Sequence, residues 1–264
     1  MSDDTRTSDT TRPAGSASRK SLRNEILLVL GVSMGASAIY AAVSLTAKLT
    51  AGKPLASQAA ALNVSRAPGR PWLDLTYQLL GIFFAVVPVL LAVHLLNRDH
   101  GDARPLLGLD GRRPAFDLGT GAALAAVIGI PGLGLYFGAR ELGLNATVIP
   151  ASLPELWWAV PVLVLAAVEN AILEEIVVVG YLLTRLGELG WRVGAAVATS
   201  ALLRGAYHLY QGFGGFVGNM IMGVIFALFF LRTRRVLPLI IAHTLLDVVA
   251  FVGYTLLHDR ISWL

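Results

Sequence analysis

The sequence predicts an all-α fold: a polytopic integral membrane bundle of about seven transmembrane helices. Three observations lead there. The chain is 55% hydrophobic. Its charged fraction is 14%, against about 25% in an ordinary soluble domain. Its apolar residues fall in several long runs, where a soluble core of this length would show shorter amphipathic stripes. Cysteine is absent, which excludes disulfides, thiolate metal sites and a cysteine nucleophile. The net charge is +4, but the basic residues flank the apolar runs, so the expected partner is the lipid bilayer and not nucleic acid.

Residues 1–23 are rich in Ser, Thr, Asp and Arg and read as a disordered cytoplasmic tail. The run that follows is too long for a signal peptide and lacks a clear cleavage site. Apolar segments then predict helices at 26–47, 73–96 and 118–139, which together with their connections make an N-terminal membrane region over 24–150. Pro131, between Gly129 and Gly132, predicts a kink in the third. Four more segments follow at 156–186, 193–210, 216–231 and 236–257. The fourth is anomalous: as one α-helix from 156 to 189 it would run about 50 Å, well beyond a hydrocarbon core of about 30 Å. It must tilt, break or project. Trp157, Trp158, Trp191 and Trp263 sit near segment ends, as interfacial aromatics do, while His94, His100 and His258 fall where water reaches them. With the N-terminus in the cytoplasm, Lys and Arg divide roughly 14 to 6 in favour of that side. A cytoplasmic N-terminus is therefore expected.

The chemistry concentrates in the last four segments. Glu174 and Glu175 are adjacent inside the fourth, although one charged side chain at mid-depth costs on the order of 3 kcal/mol. Arg204 and His208 are four apart in the fifth segment, and His243 and Asp247 four apart in the last. Each pair shares a helix face. Asn170 stands one turn before Glu174 and can support it, with Glu169 beside it. Polar glue between membrane helices is usually Ser, Thr or Asn. Clustered Glu, His, Asp and Arg more often line a proton path, an ion site or a catalytic pocket. A buried Glu facing a His can take a proton from water and return it to a leaving amine, while a second His with Asp holds an oxyanion or completes a metal shell. The spacing leaves open a metal-bound water, on a divalent ion such as zinc, and a metal-free, carboxylate-activated one.

The run Glu174-Glu175-Ile176-Val177-Val178-Val179-Gly180-Tyr181, then His208, then His243-Thr244-Leu245-Leu246-Asp247, resembles the CAAX-protease and bacteriocin-processing (Abi) family of intramembrane endopeptidases. The likeness covers roughly 160–253, within a membrane core of 151–258. Two positions depart from the family pattern: Val179 stands where the family has Arg, and Arg204 where it has Phe. One guanidinium lost from the Glu helix and one gained on the His helix reads as a relocated counter-ion. The resemblance implies a membrane endopeptidase, in a bacterial plasma membrane, acting on peptide or protein substrates. Glu174 and His208 would flank the water, His243 and Asp247 would stabilise the oxyanion, and Glu175 would pair with Arg204. The competing expectations are a non-catalytic scaffold or immunity protein of the same fold, and a proton-coupled transporter. The absence of paired repeats speaks against the transporter.

Overall fold

A computed structural model describes residues 18–257. Residues 1–17 of the expected tail, and His258 and Trp263, lie outside that range. Helix α1 (Arg19–Gly31) begins inside the segment read as tail. The Ser18 side chain accepts from the Ser21 amide at 3.1 Å, and Leu22, Ile26 and Val29 turn into the core, so capping and a buried stripe carry the helix past the polar composition. Helix α2 (Met34–Leu49) follows at a bend of 51°. The second predicted segment is likewise two helices, α3 (Pro71–Ala85) and α4 (Val87–His100). A short α5 (Ala103–Leu107) leads into α6 (Pro114–Glu141), which runs on through Pro131.

The fourth segment is helical from 159 to 188 but changes register within it. It comprises α7 (Ala159–Glu174), a π-helical turn (Glu175–Tyr181) and α8 (Leu182–Glu188). Four consecutive β-branched residues, Ile176 to Val179, disfavour the α register locally. Two hydroxyls attend the altered turn: Ser200 donates to the Val178 carbonyl at 2.8 Å and Thr184 to the Gly180 carbonyl at 2.7 Å. Helix α9 (Val193–Tyr207) is shorter than the fifth predicted segment. At about 22 Å it cannot cross a 30 Å core alone. A 3₁₀ turn (Leu209–Gln211) and Gly212 then reverse the chain into α10 (Phe213–Thr233), and α11 (Leu237–Leu257) closes the bundle. Among the described residues, four helical stretches are long and apolar enough to span a membrane, namely α3 with α4 as one run, α6, α10 and α11, or five with the bent α1–α2 pair. The protein is a polytopic helical membrane bundle, but seven full spans are not recovered. Helices α7 and α9, which are not among those spans, share the polar groups with α11, which is.

Packing follows one plan. Helix α9 lies on α10, and α11 lies on both α6 and α7. The outward faces keep Ile39, Phe83, Leu90, Val127 and Ile130 exposed, a surface suited to lipid. At the end where α1 begins, buried Arg185 holds Glu25 and Asp99 at 2.8 Å and Glu188 at 2.7 Å. His100, expected in water, stands 2.7 Å from the other Glu188 oxygen. Arg235 forks onto Asp117 with two contacts of 2.7 Å. At the opposite end, β1 (Ala59–Ala61) pairs in parallel with β2 (Thr147–Ile149). These strands were not expected, and three residues are too few to show alternation. Their connection caps α10: Leu144 carbonyl takes the Phe213 amide at 2.9 Å and Asn145 takes the Gly215 amide at 3.1 Å. Gly212, at φ +118°, supplies the reversal, and a β-carbon there would lie 2.5 Å from the Leu144 oxygen. Trp158 is buried rather than interfacial, whereas Trp157 and Trp191 are exposed.

Candidate active site

Three helices bring their ionisable residues to one place. Helix α7 and the π turn supply Asn170, Glu174 and Glu175; α9 supplies Arg204, Tyr207 and His208; α11 supplies His243 and Asp247. The close approach of α9 to α10 fixes the second group. A β-carbon at Gly223 would meet Ala201 Cα at 2.9 Å and Arg204 Cδ at 3.2 Å, so only glycine lets α10 press Arg204 inward. The Arg204 guanidinium also lies 5.2 Å from the centre of the Phe226 ring on α10.

The innermost layer is an ion cluster closed to solvent. Arg204 Nη2 donates to Glu175 Oε1, and both side chains are fully buried. His243 Nδ1 lies 2.8 Å from the same oxygen. Arg204 Nη1 stands 3.7 Å from Glu174 Oε2, and His243 Nδ1 stands 4.0 Å from it. One guanidinium and one imidazole thus serve two adjacent carboxylates, the arrangement that makes such charges tolerable away from water.

The outer layer is more open. The Glu174 and Asp247 side chains are 11% and 20% exposed, against none for Arg204 and Glu175. An incoming molecule therefore meets Glu174 and Asp247 first. The Tyr207 hydroxyl donates to Glu174 Oε2 at 2.7 Å. That contact falls on Oε2, the oxygen that also faces Arg204 and His243, and Oε1 takes part in none of these contacts. His243 Nε2 faces Asp247 Oδ2 at 3.7 Å, and Asn170 donates to the same oxygen at 3.5 Å.

His208 is the exception. Its Nδ1 lies 3.0 Å from the Arg204 carbonyl of its own helix, and it interacts with Glu174 and His243 through charge but makes no hydrogen bond to either. Helix α9 runs unbroken through Gly194 and Gly205. The longer side chains of Arg204 and Tyr207, on the same helix, reach the Glu pair directly. Sequence reasoning passed over Tyr207, although it stands three residues after Arg204, on the same face.

A divalent ion is the natural alternative occupant. Glu174, Glu175 and His243 present ligand atoms within 4.8 Å of one another, close enough for one ion. Arg204 argues against it. Its guanidinium already sits beside both carboxylates, and Glu175 Oε1 and His243 Nδ1 are already turned to each other. The donor set fits a resident guanidinium better than a metal.

Residues 156–249 match the family model described as type II CAAX prenyl endopeptidase Rce1-like. That segment is an Rce1-like domain. It belongs to a protease family, it takes in every ionisable residue of the cluster, and it covers about a third of the chain. No curated protein and no solved structure matches the chain significantly. The Rce1-like domain begins just before α7 and ends within α11, so the site-bearing parts of the three helices that converge on Glu174 all lie inside it, while α1 to α6 precede it in the chain.

Proposed function

We propose that this protein is an intramembrane endopeptidase in which Glu174 activates a water molecule for attack on a peptide carbonyl. The observation that carries the reading is the division of labour between the two carboxylates. Glu175 is consumed as a counter-ion, whereas Glu174 is partly open and keeps one oxygen free, within a domain of a protease family. Glu174 takes a proton from water as the new C–O bond forms, and returns it to the leaving nitrogen as the C–N bond breaks. His208 flanks the water. His243, held between Glu175 and Asp247, donates to the oxyanion. No step is routed through a metal, since Arg204 supplies the positive charge. The distribution of Lys and Arg supports a cytoplasmic α1 end, and the resemblance to the bacteriocin-processing family supports a bacterial plasma membrane.

The test is a peptidase assay on purified protein in detergent micelles, comparing wild type with Glu174→Ala and adding a chelator to each. Cleavage by wild type that survives the chelator and vanishes in Glu174→Ala is the expected result. Loss of wild-type cleavage on chelation, restored by zinc, would overturn the metal-free mechanism. No cleavage across a broad peptide panel would overturn the enzyme.

Tyr207→Phe separates orientation from binding. Without the hydroxyl, Glu174 loses the contact that fixes its rotamer, so kcat is expected to fall about tenfold while KM stays near its wild-type value. A change confined to KM would show that Tyr207 touches substrate instead.

A further inference from the structure

One carboxylate at the edge of the site has no hydrogen-bond or ion-pair partner among the described residues. Glu169 precedes Asn170 on α7 and is 9% exposed; its Oε1 is buried without a hydrogen bond. Buried carboxyl oxygens almost always have partners. No Arg, Lys or His forms an ion pair with Glu169 among the described residues, although it lies close enough to Glu174 and Asp247 to interact with their charges. The cations nearby are already committed, Arg204 to the Glu pair and His243 between Glu175 and Asp247. The outer rim of the site therefore holds three carboxylates, of which Glu174 and Asp247 share cations that Glu175 also engages and Glu169 pairs with none among the described residues.

What would supply one is decided by spacing. The tight set able to hold a metal ion is Glu174, Glu175 and His243, and it includes neither Glu169 nor Asp247. The rim carboxylates suit an extended organic cation rather than a compact ion. Glu169 lies five residues before Glu174, about 7.5 Å along the helix. An extended peptide covers about that distance in two residues. We propose that Glu169, with Asp247, forms an acidic subsite that takes the ammonium or guanidinium of a Lys or Arg side chain near the scissile bond. This rests on the endopeptidase reading and adds a substrate class to it: peptides with a basic residue within two positions of the cut. A cation seated there gives Glu169 the partner it lacks, and a neutral side chain would leave the carboxylate buried and unpaired. A site built on such a contact discriminates strongly.

The experiment uses the full chain and matched peptides that differ only in having Lys, Met or Glu beside the scissile bond. Wild type is expected to cleave the Lys peptide at least tenfold more efficiently than the Met peptide, by kcat/KM, and the Glu peptide least of all. Glu169→Gln should bring the Lys-to-Met ratio close to one, and Glu169→Lys should shift preference to the Glu peptide. If Glu169→Gln does not fold, the wild-type ratio and that of Glu169→Asp, which keeps the charge, decide the matter. A wild-type ratio near one, or a ratio unchanged in Glu169→Gln even with a uniform loss on all peptides, overturns the subsite and leaves the endopeptidase standing. A wild type that cleaves no peptide overturns the endopeptidase reading, and the subsite falls with it.

Discussion

Glu174→Gln is expected to lower kcat/KM for peptide cleavage by about 10²–10⁴-fold, the range carried by a positioned general base, while the protein still folds. The geometry explains why the two effects separate. The short contact of Arg204 is to Glu175, and Glu174 stands 3.7 Å from that guanidinium and 4.0 Å from His243. An amide keeps the shape, still accepts from Tyr207 and removes little ion pairing. Thermal unfolding in detergent should therefore shift only slightly. His208→Ala is expected to be nearly as damaging to cleavage, and the double variant no worse than either single one, because groups that act as a unit do not add. Retained cleavage in purified Glu174→Gln would end the catalytic assignment. A scaffold or immunity protein would keep its biological function in that variant, and a transporter would lose ion flux with no cleavage at any stage.

Arg204→Ala should do the reverse and act first on stability. It leaves Glu175 fully buried with only His243 beside it. Breaking a buried pair from one side costs about 3–5 kcal/mol, and the loss should show as a large drop in thermal midpoint. Adding Glu175→Gln to Arg204→Ala is expected to recover part of it, since the uncompensated charge goes too. Val179→Arg offers a second route. Val179 is buried about one turn beyond Glu175, so a guanidinium there can enter space vacated by Arg204→Ala. A normally stable Arg204→Ala variant would show that the guanidinium is not the counter-ion of the Glu pair.

The polar cluster was legible because charge in an apolar run is conspicuous and the four-residue spacing assigns a face. Glu174 and Glu175, Arg204, and His243 with Asp247 were found on those grounds, and the structure gathers them. Tyr207 escaped because a tyrosine is unremarkable in a membrane segment, and only its place after Arg204 marked it. The end of α9 escaped for a related reason. Hydropathy continues through Tyr210, whereas the helix stops where Gly212 and the Asn145 segment turn the chain. The ion networks of Arg185 and Arg235 are not legible in the sequence because their carboxylate partners lie far off in it, Glu25 for one and Asp117 for the other.

The π turn has a consequence for how this chain tolerates insertion and deletion. An α-helix advances by about 100° per residue, and the π turn already takes in one residue more than an α turn, so one further residue inserted between Ile176 and Val179 would swing everything beyond it by roughly that angle. Glu174 would keep its direction. Tyr181 and Arg185 would rotate away from Glu25, which they hold at 3.0 and 2.8 Å. That one turn sets the phase between two charged centres on a single rod. A length change that is harmless in the loops on either side would, inside it, unlock one centre while leaving the other intact.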